Sequence, residues 1–445
     1  MLVNAVLLFF CYLFLFSFSP VFEAEANGKG EINLARILSH FEQKLIDMAH
    51  QKGIPGFAAG VVYQGNVVYT KCFGVRSIKT KAPITPATVF QLGSISKAIT
   101  GTLMGMLHQK KLLQLDDKVA TYIPSFSYQP NRLTLRHILT HTSGLPRYGF
   151  NALVESERLK RSQIFDRLQK VQGTCLPGKC YDYHNVAYSL SAPVVEAVTG
   201  KTYEEALKVH VFEPLGMVNA SASFEGINRL ENRASPHQKT RTGYIVSPSY
   251  RKGYYEVAPS GGVNASLSDM CTFLAAHMGT RQDILAPQTL AMLHTAYTPT
   301  KDILEKNPVN IKRFKGSFYG VGWRILDYEG HKIVFHGGWI KGFVNIIAFI
   351  PEKQVGVVIL QNTETSFPWM MAMNFIDNIL GIEGRDWART PVSQNVTHRI
   401  AHNAVNKKKS RHSNAKKKNR KLKEKHRENK KTKRARIIKR TTQNI

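Results

Sequence analysis

Gly56-Phe57-Ala58-Ala59-Gly60-Val61-Val62-Tyr63 and Val67-Val68-Tyr69-Thr70-Lys71-Cys72-Phe73-Gly74-Val75, parted by Gln64-Gly65-Asn66, read as the two strands of a β-hairpin. β-Branched and aromatic residues dominate both runs, and glycine with asparagine suits the tight turn between them. Strand character then lapses until the C-terminal third, where it returns in YGVGWRIL (319–326), KIVF (332–335), FVNIIAF (343–349) and VGVVIL (355–360). Outward from the hairpin, residues 32–51 carry Leu34, Ile37, Leu38, Phe41, Leu45, Ile46 and Met48 at helical spacing. A second helix runs from Ser94 toward Gln109, and a last one covers 367–380. Residues from about 115 to 308 mix helical patterns with loops and show no repeat of fixed period. The expected class is α+β: an antiparallel β-sheet closed by both chain ends and flanked by helices, with a mainly helical second lobe inserted at about 115–308. A cleft between such lobes is the natural place for a site.

The 445 residues, 43% hydrophobic and 21% charged, exclude a peptide, a disulfide mini-protein and a wholly disordered chain. The net charge of +30 is unevenly placed, since residues 407–440 hold 19 basic and two acidic side chains. That stretch has too few apolar residues to fold alone, so 400–445 is expected to be a disordered basic tail. Its natural partner is a polyanion such as an anionic envelope polymer or a membrane surface, with a solvated extension as the alternative. Residues 1–26 read as a signal peptide, with an apolar run at 6–18 and Ala24-Glu25-Ala26 at its end. The run is short of the about 20 residues that span a bilayer. No Lys or Arg precedes it, which leaves an uncleaved anchor open. The chain is therefore expected to be exported, whether periplasmic, secreted or membrane-anchored, and nucleic acid is a poor fit as partner. Cys72, Cys175, Cys180 and Cys271 remain after the signal. Cys175 and Cys180 bracket a Leu-Pro-Gly-Lys turn and are open to a disulfide or to reduced thiols. No metal-ligand spacing occurs, and neither a metal nor another cofactor is expected.

Three short segments carry chemistry. In Leu92-Gly93-Ser94-Ile95-Ser96-Lys97, Ser94 and Lys97 lie three apart at a helix start and share one face. A serine hydroxyl is a weak nucleophile, and a lysine activates it only where that lysine sheds its proton near neutral pH. In Tyr183-His184-Asn185 a phenol and an amide two residues apart can meet one reacting centre, the phenol to relay a proton and the amide to orient a carbonyl. In Phe335-His336-Gly337-Gly338-Trp339 the glycines admit a substrate backbone, and the strand offers main-chain N–H donors.

The order and spacing of these segments resemble the serine β-lactamase and penicillin-binding superfamily, in its class C-like branch of β-lactamases, D-peptidases and esterases. Supporting stretches are Leu115-Asp116-Asp117, the run Leu135-Arg136-His137-Ile138-Leu139-Thr140-His141-Thr142-Ser143-Gly144-Leu145-Pro146, and Pro259-Ser260-Gly261-Gly262 with Ser268-Asp269-Met270. The likeness covers residues 54–380. It implies a hydrolase domain over 27–390 with a β-lactamase/transpeptidase-like fold. It also implies Ser94 as acylated nucleophile, Lys97 as its proton acceptor and Tyr183 as the general base and acid shared with Lys97. Asn185 would position the substrate, and the oxyanion would sit between the main-chain N–H groups of Ser94 and Trp339, beside Gly338.

His336 departs from the Lys-Thr-Gly of class C β-lactamases. An imidazole is only partly charged near neutral pH and Gly337 has no hydroxyl, so the carboxylate of a β-lactam loses two partners. The departure favours acyl transfer to water from a peptide, amide or ester, with His336 as a substrate contact. A β-lactamase proper and a catalytically silent envelope-binding protein are the alternatives. His137 and His141 read as structural, and His184 should point away from the reacting centre. Asn219, Asn264 and Asn395 begin N-x-S/T sequons.

Overall fold

A computed structural model describes residues 33–147, 151–247, 250, 252–300, 313–382 and 387. The signal at 1–26, the basic tail at 400–445 and Asn395 lie outside the described residues. The main sheet has eight antiparallel strands in the order β2-β1-β12-β11-β10-β9-β8-β7. They are β1 (Gly56–Tyr63), β2 (Asn66–Gly74), β7 (Thr298–Pro299), β8 (Phe314–Tyr319), β9 (Arg324–Tyr328), β10 (His331–Ile340), β11 (Phe343–Ile350) and β12 (Val355–Gln361). β3 (Val89–Gln91) with β6 (Asn264–Ser266), and β4 (His237–Thr240) with β5 (Gly243–Val246), form two small ribbons. β1 lies between the hairpin partner β2 and the last strand β12, with Phe57 opposite Gln361. The sheet is thus closed by the two ends of the chain, giving the expected α+β architecture.

β1 is buried on both faces, which explains its small residues. A Cβ on Gly60 would stand 2.6 Å from Cys271 Sγ on the helix Leu267–Ala275. Phe57, Ala59 and Val61 face a core shared with α1 (Leu34–Lys52) and the helix Phe367–Leu380, while Ala58 and Val62 face the other. That alternation is the two-residue period of a pleated strand. On the first face the rings of Phe41 and Phe375 meet at 5.0 Å. Each such side chain contributes roughly 1.5–3 kcal/mol relative to exposure.

On the second face lies α2 (Ser96–Gln109), whose residues from Ser96 to Leu107 are all buried. Its glycines permit this: a Cβ on Gly101 would lie 2.4 Å from the Val321 carbonyl oxygen. Between β3 and β7, where the main sheet resumes at Thr298, the regular structure is chiefly helical. The stretch YGVGWRIL, expected as one strand, is instead a turn between two. β8 ends at Tyr319, Gly322 takes φ +78° and Tyr319 pairs with Arg324 across the bend. Cys175 and Cys180 form a disulfide, while Cys72 and Cys271 are free.

Candidate active site

Gly93 opens the site. It lies in the 3-10 turn Gly93–Ile95 between β3 and α2 with φ +57°, and a Cβ there would come 3.0 Å from the Trp339 main-chain nitrogen. Ser94 follows, half-buried at the foot of α2. One turn on, Lys97 is fully buried and its Nζ stands 3.2 Å from Ser94 Oγ. The same Nζ donates to Asn185 Oδ1 and to the Ser260 carbonyl, each at 2.7 Å. Those two carbonyl oxygens can only accept, so they use two N–H bonds; the Ser94 hydroxyl can act either way. A neutral amine satisfies all three contacts by accepting a hydrogen bond from the serine hydroxyl at its lone pair. Burial, and then the positive charge of Arg324, hold Lys97 well below its ordinary pKa, which favours that neutral form.

Tyr183 lies against the same nitrogen. Lys97 Nζ is 4.7 Å from the centre of its ring, and the Arg324 guanidinium is 5.3 Å away. The His141 ring packs beneath it with centroids 4.2 Å apart. His141 is itself held by its Nδ1, which accepts the main-chain N–H of His184. His184 turns inward and caps the short helix Asn185–Tyr188, accepting the Ala187 N–H at 3.1 Å. Its burial pushes the imidazole pKa down to about 4. The alternation leaves Tyr183 and Asn185 pointing at Lys97, with His184 between them turned away. The Asn185 amide is spoken for on both sides, since Nδ2 donates to Asn151 Oδ1 at 3.1 Å.

The third segment lies on β10. β9 accompanies β10 only as far as Phe335, opposite Arg324; beyond it, residues 336–340 keep β11 alone as a strand neighbour. The free edge meets the turn before α2, where a Cβ on Gly338 would stand 1.8 Å from the Leu92 carbonyl oxygen. Only glycine fits there, and its absence of side chain brings Trp339 beside Gly93 and Ser94. Trp339 is 37% exposed. His336, read from sequence as a substrate contact, is 1% exposed with both ring nitrogens engaged. Nε2 pairs with the Tyr319 hydroxyl at 3.0 Å and Nδ1 with the Gly337 carbonyl at 2.8 Å. Since a carbonyl only accepts, Nδ1 carries the proton and Nε2 accepts from Tyr319. Burial, followed by the charge of Arg324, keeps this imidazole well below its usual pKa and therefore neutral.

The structure thus gathers Ser94, Lys97, Tyr183 and Asn185 around one nitrogen, sets Gly338 and Trp339 against the serine turn, and seats His336 a layer below. Sequence reading missed the Ser260 carbonyl, Arg324, Tyr319 and Asn151. Ser260 stood in a quoted stretch, yet nothing in a linear sequence shows that its main chain holds a lysine 163 positions earlier. Among the described residues no group of three or more His, Cys, Asp or Glu side chains could hold a metal ion.

The family profile described as Beta-lactamase matches residues 35–374. Penicillin-binding protein 4* of Bacillus subtilis is 29% identical over 331 residues, covering 69% of this chain and 68% of its own. The beta-lactamase of Escherichia coli is 26% identical over 366 residues, covering 72% and 89%. The unguisins hydrolase ungD' of Aspergillus campestris is 27% identical over 331 residues, covering 70% of this chain; the chain spans 59% of that protein's length. Among solved structures, the octameric penicillin-binding protein homologue from Pyrococcus abyssi superposes with a TM-score of 0.68 at 26% identity, covering 77% of both chains. Matched from α1 into the last helix, with a serine, a buried lysine and a tyrosine gathered at the foot of α2, the chain belongs to the beta-lactamase family of serine hydrolases.

Proposed function

We propose that this protein is an exported hydrolase that forms an acyl-enzyme on Ser94 from a peptide, amide or ester, in the manner of the D-peptidase and esterase members of the family. The observation that carries the reading is the fully buried Lys97, 3.2 Å from Ser94 Oγ and held well below its ordinary pKa. Ser94 Oγ attacks the carbonyl carbon while its proton passes to the Lys97 amine. Tyr183 then delivers a proton to the leaving amine or alcohol and recovers one from Lys97. Water repeats the attack with the proton moving the opposite way, releasing the acid and restoring Ser94. The main-chain N–H groups of Ser94 and Trp339 bind the oxyanion in both steps. A neutral His336 followed by Gly337 offers no cation or hydroxyl to a lactam carboxylate, which weighs against a β-lactamase proper. The Cys175–Cys180 disulfide supports an oxidising compartment and so supports export. The basic tail fits adhesion to an anionic envelope polymer or membrane surface. The test is turnover of a panel of activated esters, D-amino-acid peptides and a penicillin by wild type and Ser94→Ala. Ester or peptide turnover that disappears in Ser94→Ala supports the reading, and undiminished turnover in that variant contradicts it.

A further inference from the structure

Glu364 stands on the loop leaving β12, and its carboxylate is shared between two donors on another segment. Oε2 accepts the Trp339 indole N–H at 2.9 Å, and Oε1 accepts the Gly342 main-chain N–H at 2.9 Å. These donors bracket the turn that joins β10 to β11. Gly342 holds that turn at φ +85° with Pro236 so close that a Cβ would meet it at 2.2 Å. Two features make the bridge consequential. Residues 336–340 have lost β9 and keep one strand neighbour, so the end of β10 lacks half the ladder that fixes a strand. Trp339 is 37% exposed, so packing alone does not fix its side chain.

We propose that Glu364 is a positioning residue: by bridging Trp339 and Gly342 it holds the end of β10 against Gly93 and Ser94, and with it the Trp339 main-chain N–H that receives the oxyanion. The inference rests on the acyl-enzyme reading above. Hydrogen bonds to an ionised carboxylate are about twice as strong as neutral ones, which suits a clip on a half-supported strand. An oxyanion donor acts on the charge that develops in the transition state, so its displacement lowers kcat more than it raises KM.

The experiment compares wild type, Glu364→Ala and Glu364→Gln on one small activated ester, together with amide hydrogen exchange over residues 336–345. Glu364→Ala is expected to lose about tenfold in kcat with KM within about twofold, a fraction of the loss on deleting an oxyanion donor outright. Exchange across 336–345 should quicken. Glu364→Gln retains one acceptor oxygen and should fall between the two. Unchanged exchange in Glu364→Ala overturns the proposal whatever the turnover, and quickened exchange with unaltered kcat overturns it by reducing the bridge to a structural detail. If wild type forms no Ser94 adduct the acyl-enzyme reading fails instead, and with it the oxyanion role; the exchange comparison then still decides whether Glu364 holds the turn.

Discussion

Lys97 Nζ stands 3.2 Å from Ser94 Oγ in a position closed to solvent. The charge of Arg324 adds to the effect of burial, because it repels the ammonium form. The pair is therefore built for a neutral lysine, and the proton inventory of the site follows from that.

The pH dependence of acylation tests this inventory. Because the folded-state pKa of Lys97 is lowered, the active neutral amine accumulates well below the ordinary lysine pKa, and kcat/KM should rise with pH through that lowered value. A pH profile without a rising limb below pH 10 would contradict it. Lys97→Arg, which cannot shed its proton, should lose about 10²–10⁴-fold at every pH.

Tyr183→Phe removes only the phenolic oxygen and keeps the ring that packs on His141. Turnover should fall by about 10²–10⁴-fold while the melting temperature moves little. Near-normal turnover in a folded Tyr183→Phe would remove the tyrosine from the proton path.

Gly338→Ala places a methyl group where the Leu92 carbonyl oxygen already stands, at 1.8 Å from the ideal Cβ. Backbone must shift, at a cost of about 1–3 kcal/mol, and the shift separates Trp339 from Ser94. Chemical denaturation and turnover should both register the change. Gly337→Ala is the control, since its Cβ would stand 3.9 Å from the Asn345 carbonyl oxygen, in ordinary van der Waals contact, and should leave stability almost untouched.

Acid should destabilise the fold through its buried histidines. His277 bridges Thr102 Oγ1 and His294 Nε2, and burial pushes His294 down to about 3 and His184 to about 4. With folded-state pKa values depressed, the unfolded chain takes up protons first, so stability is lost as pH falls from about 6.5 toward these values. Each such group contributes a slope approaching about 1.4 kcal/mol per pH unit in that window. Denaturation midpoints measured at pH 7 and pH 5 should show lower stability at pH 5, and equal or greater stability there would refute the assignment.

Much of the fold was legible because periodicity reports burial. β1 and β12 are short, almost wholly apolar runs that read as strands, and the structure buries both. YGVGWRIL failed as a strand because Gly320 and Gly322, on either side of Val321, can turn as readily as extend, and Gly322 at positive φ decides for the turn. The groups proposed to be catalytic were visible through spacing read together with the family resemblance: three residues bring Ser94 and Lys97 together, and a skip of one brings Tyr183 and Asn185 to the same side. Arg324, Tyr319 and Glu364 were not, because each joins the site from a distant strand or loop through contacts that leave no local pattern. His336 shows the opposite limit, where the motif was legible but not the depth to which the residue is buried.

The most direct test is the intact mass of the chain from Asn27 to Arg399 after exposure to an activated ester, and separately to a penicillin, with Ser94→Ala alongside. A mass increase equal to the acyl group, present in wild type and absent in Ser94→Ala, is the predicted result with the ester. An adduct of equal size and yield in Ser94→Ala would contradict the account, because the acyl group would then rest on a residue other than Ser94.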